Sequence, residues 1–124
     1  MNYSIIIIED DTFIRQMYST KISELDIKVI SVSEIPDLKK NLEKNNISLI
    51  LLDIILPKIN GFDILIWLKK HKEFQDIPVI VLSNLSSQTD IDKAFELGAV
   101  DYIVKSNYTP FEVMRTIQKH LPSK

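Results

Sequence analysis

The chain has 124 residues, 45% of them apolar and 26% charged, with a formal net charge of −2 and no cysteine. That length suits one domain with a real core and leaves no room for a second module, and the lack of cysteine excludes disulfides, thiol catalysis and thiolate metal sites. The small net charge gives no electrostatic reason to expect nucleic acid or a membrane surface as partner, no apolar run approaches a membrane span, and a cytoplasmic protein is expected.

Residues 3–8 contain four consecutive isoleucines and read as a strand buried on both faces. The run ends in Glu9-Asp10-Asp11, which no signal peptide would place there. Residues 12–25 carry Phe13, Ile14, Met17, Ile22 and Leu25 as an apolar stripe, predicting a helix capped by Asp11 or Thr12. A strand over 27–32 precedes a short helix over 36–44, opened by Pro36 and buried through Leu38 and Leu42. Residues 47–52, apolar but for Ser48 and without alternation, are the expected central strand, and Asp53 stands where that run leaves the core. Pro57 and Asn60-Gly61 punctuate a loop. A helix over 61–72 then turns Phe62, Leu65, Ile66 and either Leu68 or Phe74 inward. A fourth strand over 78–82 leads into the polar loop 83–88 and a helix over 89–97, with Gly98 just past its end. A fifth strand over 99–104 ends in Lys105. Thr109-Pro110-Phe111-Glu112 then supplies an N-cap, a first-turn proline and a capping-box acid for a last helix reaching about Leu121.

Strand and helix thus alternate five times, with connections too long for hairpins. Parallel strands and right-handed crossovers follow, hence a three-layer α/β/α sandwich. Sequence alone does not fix the strand order. The flavodoxin-like order 2-1-3-4-5 is favoured because it makes the first and third strands neighbours. Glu9, Asp10 and Asp53 would then share one cleft at the carboxyl ends of the strands.

Three converging carboxylates repel one another, by about 4 kcal/mol per pair at ~4 Å and an effective dielectric near ~20. Lys105 offsets part of this. A divalent cation that prefers oxygen donors, Mg²⁺ or Mn²⁺, would offset the rest. His71 and His120 fall on outer helices and offer no imidazole there. Such a site can hold a phosphoryl group between metal and lysine while one carboxylate attacks phosphorus. Asp53 is the natural nucleophile, and Glu9 and Asp10 the natural metal holders. Each residue also has an ordinary reading: Asp10 or Asp11 as a helix cap, Lys105 as a solvated end, Ser83 as a turn residue, Tyr102 as a half-buried strand aromatic. Their joint placement at the ends of strands one, three, four and five favours the chemical reading.

The segments Ile-Ile-Glu-Asp-Asp, Leu-Leu-Asp-Ile-Ile-Leu-Pro-Lys-Ile-Asn-Gly-Phe, Pro-Val-Ile-Val-Leu-Ser and Gly-Ala-Val-Asp-Tyr-Ile-Val-Lys resemble the receiver domain of bacterial two-component response regulators, across residues 1–124. The resemblance supports the flavodoxin-like order and implies Asp53 as phosphoacceptor, with Glu9, Asp10 and the main-chain carbonyl of Ile55 completing a Mg²⁺ site. It also implies Ser83 as a switch hydroxyl, Tyr102 as a switch aromatic, and Lys105 as the phosphoryl-binding lysine. Ile55 and Leu85 would flank the site and govern access of water, and Asn84 would govern access of the phosphodonor. Three positions depart from the family's pattern. Ser106 stands where proline is usual, Asn84 where a very small residue is common, and Val100 where dimerising regulators often have an acid. The Lys105–Ser106 peptide is expected to be trans.

The function implied is a phosphorylation switch without turnover of an external substrate. Its partners would be a sensor histidine kinase or histidine phosphotransfer protein and a downstream protein, with no direct nucleic-acid or membrane contact. A monomer or a weak phosphorylation-dependent dimer is expected. The surface of the fourth helix, fifth strand and fifth helix would carry the output, through Phe95, Tyr102 and Phe111. The alternative is an interaction module of the same fold acting without phosphorylation. A phosphatase of the haloacid-dehalogenase type would need a carboxylate at position 55, which is isoleucine, and the acidic loop after the first strand would repel a flavin phosphate.

Overall fold

The computed structural model describes residues 3–122. The chain runs β1 (Tyr3–Ile8), α1 (Thr12–Ser23), β2 (Ile27–Val32), α2 (Ile35–Lys44), β3 (Leu49–Leu52), α3 (Gly61–Lys69), β4 (Val79–Ser83), α4 (Gln88–Glu96), β5 (Asp101–Val104) and α5 (Pro110–His120). A single turn of 3₁₀ helix, Lys105–Asn107, joins β5 to the last connection. All strand pairs are parallel, and the order is β2-β1-β3-β4-β5.

Successive side chains of a strand point to opposite faces, so a run apolar at every position needs a cover on both sides. The sheet divides its isoleucines that way. Ile6, Ile8, Ile50, Leu52, Val79 and Val81 face Leu38, Leu42, Phe62, Leu65 and Ala94 of α2, α3 and α4. Ile5, Ile7, Leu49, Leu51, Ile80 and Ile103 face Tyr18, Ile22, Val113 and Ile117 of α1 and α5. The three-layer sandwich is therefore set by the pleat.

Helix ends follow their capping chemistry. Asp11 accepts from the amide of Ile14, Asn60 from Phe62 and Ser87 from Asp90, while Thr109 and Glu112 form a reciprocal capping box. Gly98 follows α4 at φ +108°, a conformation open to glycine at little cost. The Tyr3 hydroxyl donates to the carbonyl of Pro122 at 2.7 Å, which ties the start of β1 to the chain just after α5.

Several expected placements differ. Phe13 is 75% exposed, because it lies 100° around α1 from Ile14, off the line that Ile14, Tyr18 and Ile22 make at four-residue spacing. Leu25 falls beyond the end of α1 and is 36% exposed. In α3 the inward residues are Phe62, Ile64, Leu65 and Leu68, while Ile66 is only half-buried on the flank. That helix ends at Lys69, and Phe74 is buried from the turns that follow. Ser83 is the last residue of β4 rather than the first of a loop.

Candidate functional site

Register brings the acids together. Ile8 pairs with Leu52, so Glu9 and Asp53 leave adjacent strands side by side, and the Asp53 amide donates to the Ile8 carbonyl at 3.0 Å. Glu9 and Asp53 are buried; Asp10 is exposed at the rim. One carboxylate oxygen from each of the three lies within 4.8 Å of the others. Asp11, the third acid of the run, is used as the α1 cap, and its amide donates to Glu9 Oε2 at 3.3 Å.

Lys105 enters from the end of β5. Its Nζ donates to Asp53 Oδ2 at 2.9 Å and to Glu9 Oε1. Its side chain is 11% exposed, against 3% for Glu9 and 7% for Asp53, so water screens this cluster poorly. Burial pushes the Glu9 carboxyl up to about 7, and the charge of Asp53 adds to that rise while Lys105 opposes it. Burial depresses the Lys105 ammonium, but its bonds to Glu9 and Asp53 outweigh this and hold it above its ordinary value. One buried cation thus serves two buried carboxylates with a third at the rim. Hard oxygen donors clustered with more negative than positive charge fit a divalent cation of the Mg²⁺ or Mn²⁺ type.

The other Asp53 oxygen, Oδ1, accepts from the Ile55 amide at 3.0 Å. The Ile55 side chain is 55% exposed beside it, and Ile55 forms an isolated antiparallel bridge with Asn60 that folds the loop back on itself. Ser83 is fully buried, and its Oγ accepts from the Leu85 amide at 3.3 Å. Leu85 is half-buried and Asn84 exposed. The Tyr102 ring is turned inward, 7% exposed, and its hydroxyl donates to the Leu85 carbonyl at 2.7 Å. Tyr102 is therefore not an exposed contact of the α4-β5-α5 surface as expected; Phe95 of α4 is exposed, and Phe111, expected on the same surface, is exposed beside Lys21, Glu24 and Leu25 on the α1 side of α5 instead. Among the described residues no peptide bond is cis, so Lys105–Ser106 is trans. His71 and His120 are engaged elsewhere, with the Trp67 carbonyl and with Asp101.

Two residues gain weight from the geometry. A Cβ on Gly61 would lie 2.4 Å from the Asp53 carbonyl oxygen and 2.5 Å from Ile54 Cα, so α3 begins pressed against the backbone that carries Asp53. The Asn-Gly pair signalled a turn, but contact across seven residues has no signature in the sequence. Tyr18 is buried close to the charges of Lys105 and Glu9, and burial pushes its hydroxyl pKa up. Its position follows from the Ile14-Tyr18-Ile22 line rather than from a motif.

The chain matches the family model described as "Response regulator receiver domain" over residues 5–118. It is 34% identical over 115 residues to the transcriptional regulatory protein GltR of Pseudomonas aeruginosa, covering 93% of this chain and 47% of that protein. It is 30% identical over 105 residues to the response regulator protein GraR of Staphylococcus epidermidis, covering 85% of this chain and 46% of that one. The chain thus spans about half the length of the curated relatives it matches. Among solved structures, Vibrio cholerae chemotaxis protein CheY4 superposes with a TM-score of 0.88 at 20% identity, over 98% of this chain and 100% of that one. The BeF3-activated receiver domain of Klebsiella pneumoniae RstA gives 0.86 at 24% identity, over 97% and 99%. At such identities these two speak for the fold, a flavodoxin-like receiver fold. With the family model covering most of the chain, the protein belongs to the response regulator receiver domain family.

Proposed function

We propose that this chain is a phosphorylation switch of a two-component system, in which Asp53 accepts a phosphoryl group from a phosphohistidine of a sensor kinase or a histidine phosphotransfer protein. The observation that carries the reading is the contact of Lys105 Nζ with Asp53 Oδ2 at 2.9 Å inside a buried acidic cluster. It puts a cation where the oxygens of a phosphoryl group on Asp53 would need one.

In the transfer, an Asp53 carboxylate oxygen attacks phosphorus and forms a P–O bond as the P–N bond of the donor breaks. The P–N electron pair stays on the imidazole, which leaves neutral when its other nitrogen carries a proton. Lys105 balances charge gathering on the phosphoryl oxygens, and the Ile55 amide holds the second Asp53 oxygen in place. Glu9, Asp10 and Asp53, with the main-chain carbonyl of Ile55, would hold Mg²⁺, whose chemistry when bound is to neutralise carboxylates and phosphoryl oxygens together.

Ser83 sits at the end of β4, paired in register with Val104 beside Lys105. Its hydroxyl would turn to a phosphoryl oxygen and release the Leu85 amide it now accepts from, and the Tyr102 hydroxyl is bound to that same residue's carbonyl. Movement of this segment would alter the surface of α4, β5 and α5, where Phe95 is exposed, and so change binding of a downstream protein.

Mass spectrometry after incubation with acetyl phosphate and Mg²⁺ tests the reading. The wild-type chain gains one phosphoryl group and Asp53→Asn gains none. A wild-type chain that stays unmodified with acetyl phosphate and with kinase phosphodonors would leave a binding module that acts without phosphorylation.

A further inference from the structure

β4 and β5 pair up to Ser83 and Val104, where the ladder stops. One residue beyond Ser83 and two beyond Val104, the chains are joined again: the Ser106 amide donates to Asn84 Oδ1 at 3.2 Å. An amide N–H can only donate, so the oxygen of the Asn84 side chain faces it. The bond links the loop that follows Ser83 to the 3₁₀ turn that begins at Lys105. These are also two of the positions at which the sequence departs from the receiver pattern. A proline at 106 would have no hydrogen to give, and a very small residue at 84 would have no acceptor to offer. The two departures meet in one contact.

We propose that Asn84 is a positioning residue for Lys105, clasping the turn from which the lysine stem departs so that its ammonium is held at Asp53 and Glu9. The proposal rests on the phosphorylation reading above. Lysine reaches its targets through a flexible four-carbon stem, and the position of the ammonium depends on where that stem starts. Beyond the last rung, Ser83–Val104, no backbone hydrogen bond joins the two chains among the described residues to fix that start. The side chain of Asn84 supplies the missing tie. Because Asn84 is covalently next to Ser83, a turn of Ser83 toward a phosphoryl group would also pull on the Lys105 turn. Small misplacements of a phosphoryl-binding cation are costly to rate.

The test uses Asn84→Leu, which keeps the bulk of the side chain but loses the acceptor, so that access of the donor is not widened. With acetyl phosphate and Mg²⁺, Asn84→Leu is expected to be phosphorylated about threefold to tenfold more slowly than wild type. Asn84→Asp, which keeps the acceptor, should recover most of the rate. In a Lys105→Met background, Asn84→Leu should cause no further slowing, a result that a merely structural role would not give. Independently of any phosphorylation, the Ser106 amide should exchange with deuterium several-fold faster in Asn84→Leu than in wild type. Equal slowing with and without Lys105, an unchanged rate in Asn84→Leu, or an unprotected Ser106 amide in the wild type overturns the clasp while leaving phosphorylation standing. A wild-type chain that takes no phosphoryl group overturns both.

Discussion

Lys105 Nζ and Asp53 Oδ2 are 2.9 Å apart although their residues are 52 positions apart in the chain, with Asp53 buried and the Lys105 side chain only 11% exposed. Breaking a buried pair by removing one partner leaves an uncompensated charge and costs about 3–5 kcal/mol. Glu9, with its carboxyl near 7, can recover part of that by taking a proton. Lys105→Met is therefore expected to lose about 2–3 kcal/mol in EDTA at neutral pH. Urea titrations with and without Mg²⁺ check this, and the loss should shrink with Mg²⁺. An equal loss in both would show that no cation takes up the unbalanced charge.

The raised carboxyl of Glu9 sets a pH dependence. In its folded environment Glu9 holds its proton up to about 7, against 4.5 ordinarily, so the native state binds more protons than the unfolded state between those values. The contribution of Glu9 to stability is then fully present below pH 4.5 and is lost as pH rises through 7. Glu9→Gln keeps a neutral side chain throughout. In EDTA, wild type should lose stability relative to Glu9→Gln as pH rises from 5 to 8, and thermal melts across that range measure the difference. A constant difference would mean that Glu9 ionises as freely in the fold as in the open chain.

Gly61→Ala places a methyl group against the Asp53 carbonyl and Ile54 Cα, both backbone atoms that cannot swing aside. Overpacking of this sort costs about 1–3 kcal/mol, and the displacement here falls on the residue proposed to be phosphorylated. Stability and phosphorylation by acetyl phosphate should fall together, the latter by roughly tenfold. Loss of stability alone, with phosphorylation at the parent rate, would show that Asp53 keeps its position when α3 is pushed away.

The lifetime of the acyl phosphate should depend on the two aliphatic residues beside the site. Ile55 is exposed and Leu85 half-buried, and neither side chain can hydrogen-bond a water molecule. Ile55→Asn with Leu85→Glu offers atoms that can orient water behind phosphorus, and the phosphorylated protein should then decay roughly threefold or more faster. Time courses after removal of the phosphodonor check it. Decay at the parent's rate would exclude crowding by these side chains as the control.

What the sequence made legible was the strand ends. Four isoleucines followed by three acids, and Leu49-Ile50-Leu51-Leu52 followed by Asp53, announce both the strand and the point at which it leaves the core. Once the parallel order is known, Glu9, Asp10, Asp53 and Lys105 have little freedom to be anywhere else. Less legible were choices that depend on angle or on contacts across space. Phe13 is hydrophobic but lies on the wrong side of α1, and only the burial of Tyr18 shows where the stripe runs. Asp10 and Asp11 look alike in sequence, and the cap bond to Ile14 assigns Asp11 to the helix and frees Asp10 for the cluster. Asn84 and Ser106 were each visible as departures, but a bond between a side chain and an amide 22 residues away could not be foreseen.

The bond between the Tyr3 hydroxyl and the Pro122 carbonyl closes a seam between the first strand and the chain after the last helix. Residues 3 and 122 are spatial neighbours at the base of the sheet, while the six residues of β1, at about 3.3 Å each, carry the chain roughly 20 Å away to Glu9. The seam therefore lies at the end of the sheet opposite the acidic cluster, away from the approach of a phosphodonor. The seam could equally be sealed with a short glycine-rich link and the chain reopened in an exposed loop, giving a circular permutant with the same sheet. A fold whose first strand starts beside the exit of its last helix can be rewired there without bending its own strands.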